Sequence, residues 1–172
     1  MVEQVAMGSL DTPIGMLWMA CSERGVCKLI FPCEGAEASL DRWLAGHLPA
    51  HKLVATSALL EQTSTELGDY FAGSRHDFTL PLDLRGSAFH QRVWQTLTNI
   101  PYGHTVSYGD LARALGAPKA ARAVGAACGA NPVPIIAPCH RVLGSDGSLH
   151  GFGGGLPVKA WLLRHEGVLL DL

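Results

Sequence analysis

A chain of 172 residues fits one ordinary domain or two small ones, and its 48% hydrophobic and 16% charged content supplies a core and excludes disorder. No apolar run approaches the roughly 18 residues of a membrane span. Met1-Val2-Glu3-Gln4 lacks the basic-then-apolar pattern of a secretory leader, so a cytoplasmic protein with no membrane partner is expected. The net charge of −2 conceals an asymmetry: residues 1–86 carry six Lys/Arg against eleven Asp/Glu, whereas residues 87–172 carry seven against four. The second half is therefore the one able to face phosphate.

In chain order, Met16 to Cys21 and Val26 to Phe31 flank the turn Ser22-Glu23-Arg24-Gly25, which predicts an antiparallel hairpin preceded by a turn at Thr12-Pro13-Ile14-Gly15. Amphipathic stretches near 35–47 and 57–71 predict two helices. The second carries Leu59, Leu60, Thr63, Leu67, Tyr70 and Phe71 at helical spacing and stops at Gly73. Pro81 to Gly86 is an extended crossing, placing a boundary between a sheet-and-helix domain, 1–82, and a second domain, 87–172. Cys21, Cys27, Cys33, Cys128 and Cys139 are odd in number, so at least one thiol is free. The six-residue recurrence of the first three lacks zinc-site gaps and histidine partners, so buried thiols and no metal are expected.

Past the boundary, Ser87 caps a helix with the stripe Phe89, Val93, Trp94 and Leu97, ended by Ile100-Pro101-Tyr102-Gly103. Ser107 caps a second from Tyr108 to Leu115, with Asp110 placed for a capping box. Gly116-Ala117-Pro118 is a turn, and Lys119 to Gly129 is a third helix. Helix, short turn and helix together predict a helix-turn-helix. The third helix offers alanines and glycines around one long cation, Arg122. Such a face cannot read major-groove base edges, but it fits a minor groove about 6 Å wide, where side-chain bulk is the obstacle. An Ala-rich packing helix with a solvated arginine is the competing reading.

The stretch Asn131-Pro132-Val133-Pro134-Ile135-Ile136-Ala137-Pro138-Cys139-His140-Arg141-Val142 is the most informative in the chain. Residues before proline are driven to extended geometry, so the helix ends by Asn131 and Cys139 is held between rigid neighbours. A free thiol titrates near about 8.5, and His140 or Arg141 beside it is expected to lower that value toward a nucleophilic thiolate. Consecutive side chains diverge, so His140 takes the proton through a water. A final helix from Val158 to His165 delivers Glu166, the best carboxylate for orienting His140, with Asp146 as competitor.

Pro138-Cys139-His140-Arg141-Val142 resembles the active-site signature of the O6-alkylguanine-DNA alkyltransferases, the methylated-DNA-protein-cysteine methyltransferases. The likeness continues through Val106-Ser107-Tyr108, Lys119 to Gly125, Asn131-Pro132-Val133-Pro134, the Gly-rich segment at Phe152, and Trp161 to Gly167. The N-terminal half matches loosely, through Asp11 to Gly15 and the hairpin. The resemblance implies an α/β (α+β) protein: a small antiparallel-sheet domain, ribonuclease H-like, followed by a helical domain with a winged-helix-like helix-turn-helix.

It also implies the chemistry. Cys139 would take the alkyl group from O6-alkylguanine, and from O4-alkylthymine, irreversibly and once. His140 with water would be the base, Glu166 its orienter, Tyr108 a donor to the purine, and Asn131 the brace of the nucleophile loop. Ala121, Arg122, Gly125 and Ala126 would lie against double-stranded DNA, with Arg122 filling the gap left by the flipped base. Tyr108, Arg122, Val142, Phe152, Gly153 and Gly154 would form the lesion pocket, with no cofactor. Phe152 stands where the family often has tyrosine, and Gly153 where it has a larger residue, so the loop is looser. His150 reads as a solvated loop histidine. A monomer loading cooperatively on DNA is the expected state. Two other classes stay open: a module that senses alkylated bases without transfer, and a thiol hydrolase, which would turn over repeatedly.

Overall fold

A computed structural model describes residues 1–170, in two compact units that divide between Arg85 and Gly86. The first unit holds strands β1 (Glu3–Thr12), β2 (Gly15–Cys21), β3 (Val26–Ile30) and β4 (His51–Val54), with helices α1 (Ala36–His47) and α2 (Ala58–Phe71). Their order in the sheet is β3-β2-β1-β4. The predicted hairpin is the β2–β3 pair, and the turn at Thr12 joins β2 to a strand the sequence reading did not delimit, β1. Gly15 takes φ +110°, a conformation that favours glycine, and Thr12 Oγ1 donates to its carbonyl at 2.7 Å.

The sheet is not wholly antiparallel. β4 runs parallel to β1, with Glu3 opposite His51 and Ala6 opposite Val54, because α1 supplies the crossover that parallel neighbours require. Four residues, two of them exposed, are too few to show alternation, which is why β4 escaped the sequence reading. Val5, Ala20, Cys27, Leu40, Leu44 and Leu48 form the core between the sheet and α1. The crossing segment is tied to β3: Val26 N donates to Pro81 O at 2.8 Å, and Asp83 N to Val26 O at 3.0 Å. Gly25 makes room for it, since a Cβ there would lie 2.6 Å from the Leu82 carbonyl carbon. Cys21 and Cys27 are buried and Cys33 is exposed. Desolvation raises the Cys27 thiol to about 12, keeping it protonated.

The second unit contains α3 (Ala88–Leu97), β5 (Val106–Ser107), α4 (Tyr108–Ala114), α5 (Ala121–Gly129), a 3-10 turn at Cys139–Arg141, β6 (Val142–Leu143) and α6 (Leu156–His165). Ser87 accepts from His90 N, and Ser107 and Asp110 complete a reciprocal capping box. α5 begins two residues later than predicted, because Ala120 N closes a turn onto Ala117 O at 2.9 Å. α6 begins two residues earlier, since Pro157 is tolerated in a first turn. Trp94 fixes α3 to α5, its indole N–H donating to Ala127 O at 2.8 Å in a core with Val93, Leu97, Leu111 and Val124. β5 and β6 pair in parallel, bringing the entry to α4 beside the exit from the 3-10 turn.

Candidate active site and nucleic-acid face

The segment between α5 and β6 carries few backbone bonds of its own, and one side chain holds its two ends. Asn131 Nδ2 donates to Ala137 O at 2.7 Å while its Oδ1 accepts from Val133 N at 3.0 Å. Within this clip, Ile135 adopts φ +73°, a left-handed conformation that costs a β-branched residue on the order of 1–3 kcal/mol. The 3-10 turn then sets Cys139, His140 and Arg141 in succession, all buried.

The side chains of His140 and Arg141 meet on one carboxylate. His140 Nε2 lies 2.7 Å from Glu166 Oε1. Arg141 grips the same carboxylate through Nε to Oε2 and Nη2 to Oε1, both at 2.9 Å, and the Gly103 N–H adds a fourth donor. This holds the Glu166 carboxyl far below the usual carboxylate range against the opposing pull of its own burial, so Glu166 is an anion. Desolvation pushes His140 below its ordinary value, and its imidazole is neutral. Nε2 therefore carries the proton and donates to Glu166. Nδ1 is left as a buried acceptor with no partner among the described residues. Asp146 is no competitor: it caps an exposed turn, accepting from Ser148 N and Ser148 Oγ.

The thiol corrects one expectation. Burial raises Cys139 above its ordinary value, and the lowering influences, a hydrogen bond with Asn131, the charge of Lys159 and a hydrogen bond with its own backbone, do not reverse this. Arg141 cannot help because its charge is spent on Glu166, and neutral His140 has none to offer. The resting pair is thiol and imidazole, with the thiolate made on demand.

Lys159 was missed by the sequence reading. Its fully buried side chain lies among the inward residues of α6, with Ala160, Leu162 and Leu163. Nζ donates to Val142 O at 2.7 Å and stands 5.9 Å from the centroids of both the Tyr108 and Phe152 rings. It pairs with no carboxylate among the described residues. The available signal was a lysine at a core position of an amphipathic helix.

Tyr108 opens α4, and burial pushes its phenol up to about 12, which keeps it a donor. A cavity of about 500 Å³ brings Tyr108 together with Ala121, Arg122, Gly125, His150 and Gly151, among others. Arg122 and Ala126 are exposed on α5, and Gly125 sits beneath the Tyr108 ring, where a Cβ would be 3.8 Å from it. Phe152 packs by Lys159 and Val142 offers Lys159 its carbonyl, but neither lines this cavity, nor do Gly153 and Gly154. A Cβ at Gly153 would meet nothing within 4 Å, so the backbone there is open by choice of residue, not by crowding. Cys139 lines neither this cavity nor a larger groove of about 720 Å³ bounded by Leu143, Leu156, Ala160 and Arg164 among others.

Residues 88–168 match the 6-O-methylguanine DNA methyltransferase DNA-binding domain, and residues 5–84 match the ribonuclease-like domain of the same proteins. A methylated-DNA–protein-cysteine methyltransferase of Mycolicibacterium paratuberculosis is 45% identical over 158 residues, 92% of this chain and 90% of the relative. The chain belongs to this methyltransferase family. The Salmonella typhimurium member is also 45% identical, over 94% of this chain and 95% of its own. In structure, the Mycobacterium tuberculosis O6-methylguanine methyltransferase superposes with a TM-score of 0.79 at 42% identity, covering 94% of this chain and 92% of that one. The same organism's protein in complex with DNA gives 0.78 at 39% identity, over 95% and 92%. In this methyltransferase, then, the buried thiol, the neutral imidazole and the small-residue face of α5 belong to one unit of the chain.

Proposed function

We propose that this methyltransferase repairs duplex DNA by moving the alkyl group of O6-alkylguanine, and of O4-alkylthymine, onto Cys139 in a single turnover without cofactor. The observation that carries the reading is His140, next in sequence to Cys139: a neutral ring whose Nε2–H is committed to an ionised Glu166 and whose Nδ1 is a buried acceptor with no partner among the described residues. A bridging water passes the Cys139 proton to Nδ1, and the imidazolium is met by the Glu166 carboxylate already in place. The nascent thiolate faces Lys159. Sulfur attacks the alkyl carbon, the carbon–oxygen bond breaks toward the purine, the purine takes a proton from the Tyr108 hydroxyl, and the proton held by His140 returns through water to the phenolate. Guanine is restored and Cys139 becomes a thioether.

The reacting carbon lies inside the base stack, so the nucleotide must swing out, at a cost of a few kcal/mol that a poorly paired lesion lowers. α5 presents Ala121, Gly125 and Ala126 to the minor groove, and Arg122 occupies the vacated position. Asn131 keeps the nucleophile loop rigid while this happens. The protein acts as a monomer in the cytoplasm and loads cooperatively on DNA; band shifts on duplexes of increasing length test the cooperativity.

The decisive experiment incubates the protein with duplex carrying O6-methylguanine and fragments the tryptic peptide from Ala123 to Arg141, which contains both Cys128 and Cys139. The methyl is expected on Cys139 alone, at no more than one equivalent per chain. Cys139→Ser should bind the duplex and leave the lesion intact. Product beyond one equivalent would favour a hydrolase, and binding with no transfer by the native protein would favour a lesion sensor.

A further inference from the structure

His150 stands on the rim of the cavity shared by Tyr108 and Arg122, and the mechanism above assigns it nothing. Its imidazole is fixed from three sides. The Nε2–Cδ2 edge rests on Gly144, where a Cβ would come within 2.4 Å of Nε2 and 2.7 Å of Cδ2, so only glycine leaves the seat open. Nε2 lies 3.0 Å from Ser148 Oγ, and Ser148 Oγ lies 2.6 Å from Asp146 Oδ1. The hydrogen bonds from Ser148 keep the Asp146 carboxyl below its ordinary value, so it is an acceptor. Ser148 therefore gives its proton to Asp146 and accepts one from His150 Nε2. On the third side the ring meets Tyr108 edge to face, with centroids 6.1 Å apart.

Apart from Tyr108 and Arg122, every other residue around this rim is small: Ala121, Gly125, Gly129 and Gly151. His150 is thus the bulky group on the loop side of the opening. A side chain free to turn would yield to a large substrate, but this one must break its Ser148 bond to do so.

Building on the transfer reading, we propose that His150 is a fixed wall of the lesion pocket that limits the size of the O6 substituent accepted, and that Gly144, Ser148 and Asp146 hold it there. A looser wall admits larger adducts, and a missing one admits them faster still.

Single-turnover rates on duplexes carrying O6-methylguanine or O6-benzylguanine test this in the full-length protein, His150→Ala and Ser148→Ala. Removing the ring should raise the benzyl-to-methyl rate ratio by about tenfold, the lower end of what steric fit in a pocket discriminates. Ser148→Ala, which keeps the ring but frees it, should raise the ratio by less, in the same direction. An unchanged ratio with methyl transfer intact overturns the wall while leaving the transfer reading standing. Equal losses on both substrates together with a lowered melting temperature also overturn it, since they assign His150 to turn stability alone. A native protein that transfers neither group overturns the transfer reading itself.

Discussion

The nucleophile segment and helix α5 adjoin in sequence but are built on opposite terms. From Asn131 to Leu143 every residue is buried, and apart from His140 Nδ1 its side-chain polar groups are held by hydrogen bonds that converge on a four-donor carboxylate. Along α5 the outward residues are Ala, Gly and one Arg, exposed and making few polar contacts. Chemistry is kept where the surroundings fix each atom. Recognition is left to a surface whose virtue is that nothing protrudes from it.

That contrast can be broken from the buried side with the largest effect. Glu166→Ala strands Arg141 in the core and removes the acceptor of His140 and Gly103. A loss of about 3–5 kcal/mol is expected, measurable by urea unfolding. If the variant unfolds at the same midpoint as the native protein, the carboxylate is not the keystone described here.

Acid attacks the same cluster more gradually. His140 and Glu166 both have folded values below their unfolded ones, so the unfolded chain binds more protons and stability rises with pH. The histidine contribution is complete above its unfolded value of about 6.5 and declines as pH falls below it. The Glu166 contribution declines below its unfolded value of about 4.3. Thermal melts between pH 8 and 4 should show falling midpoints, and His140→Gln should flatten the upper part of that fall.

The exposed side gives the smallest and most selective effect. Arg122→Ala removes no core contact, so the melting temperature should stay within a degree or two. Repair of duplex should slow on the order of tenfold, a part of the few kcal/mol that extrusion costs, while reaction with free O6-benzylguanine is spared. Equal losses on the two substrates would contradict the flipping role.

Much of this was legible because it is local. The Ser87 and Ser107 caps, the turn at Gly116 and the β2–β3 hairpin depend on residues within a few positions of one another. The short parallel pairs, β1 with β4 and β5 with β6, were not legible, since their partners lie far apart in the chain and two to four residues show no period. At the site, the order of Cys139 and His140 and the arrival of Glu166 could be read off. The direction of the Cys139 shift could not, because it is set by the burial of the thiol, which neighbours in sequence do not reveal, while the Arg141 charge beside it goes elsewhere. That destination, Glu166, lies 25 residues away, and the cation that acts on the thiol, Lys159, comes from the interior of α6.

The ammonium of Lys159 is buried, donating to Val142 O and more distantly to His150 O but matched by no carboxylate among the described residues, and desolvation lowers its affinity for the proton it carries. Evolution working on folding alone would put methionine there, which fills similar volume without an ionic charge. Lys159→Met should accordingly melt higher than the native protein yet alkylate more slowly. The helix tolerates a permanent handicap so that, for the instant in which sulfur gives up its proton, a counterion is already waiting.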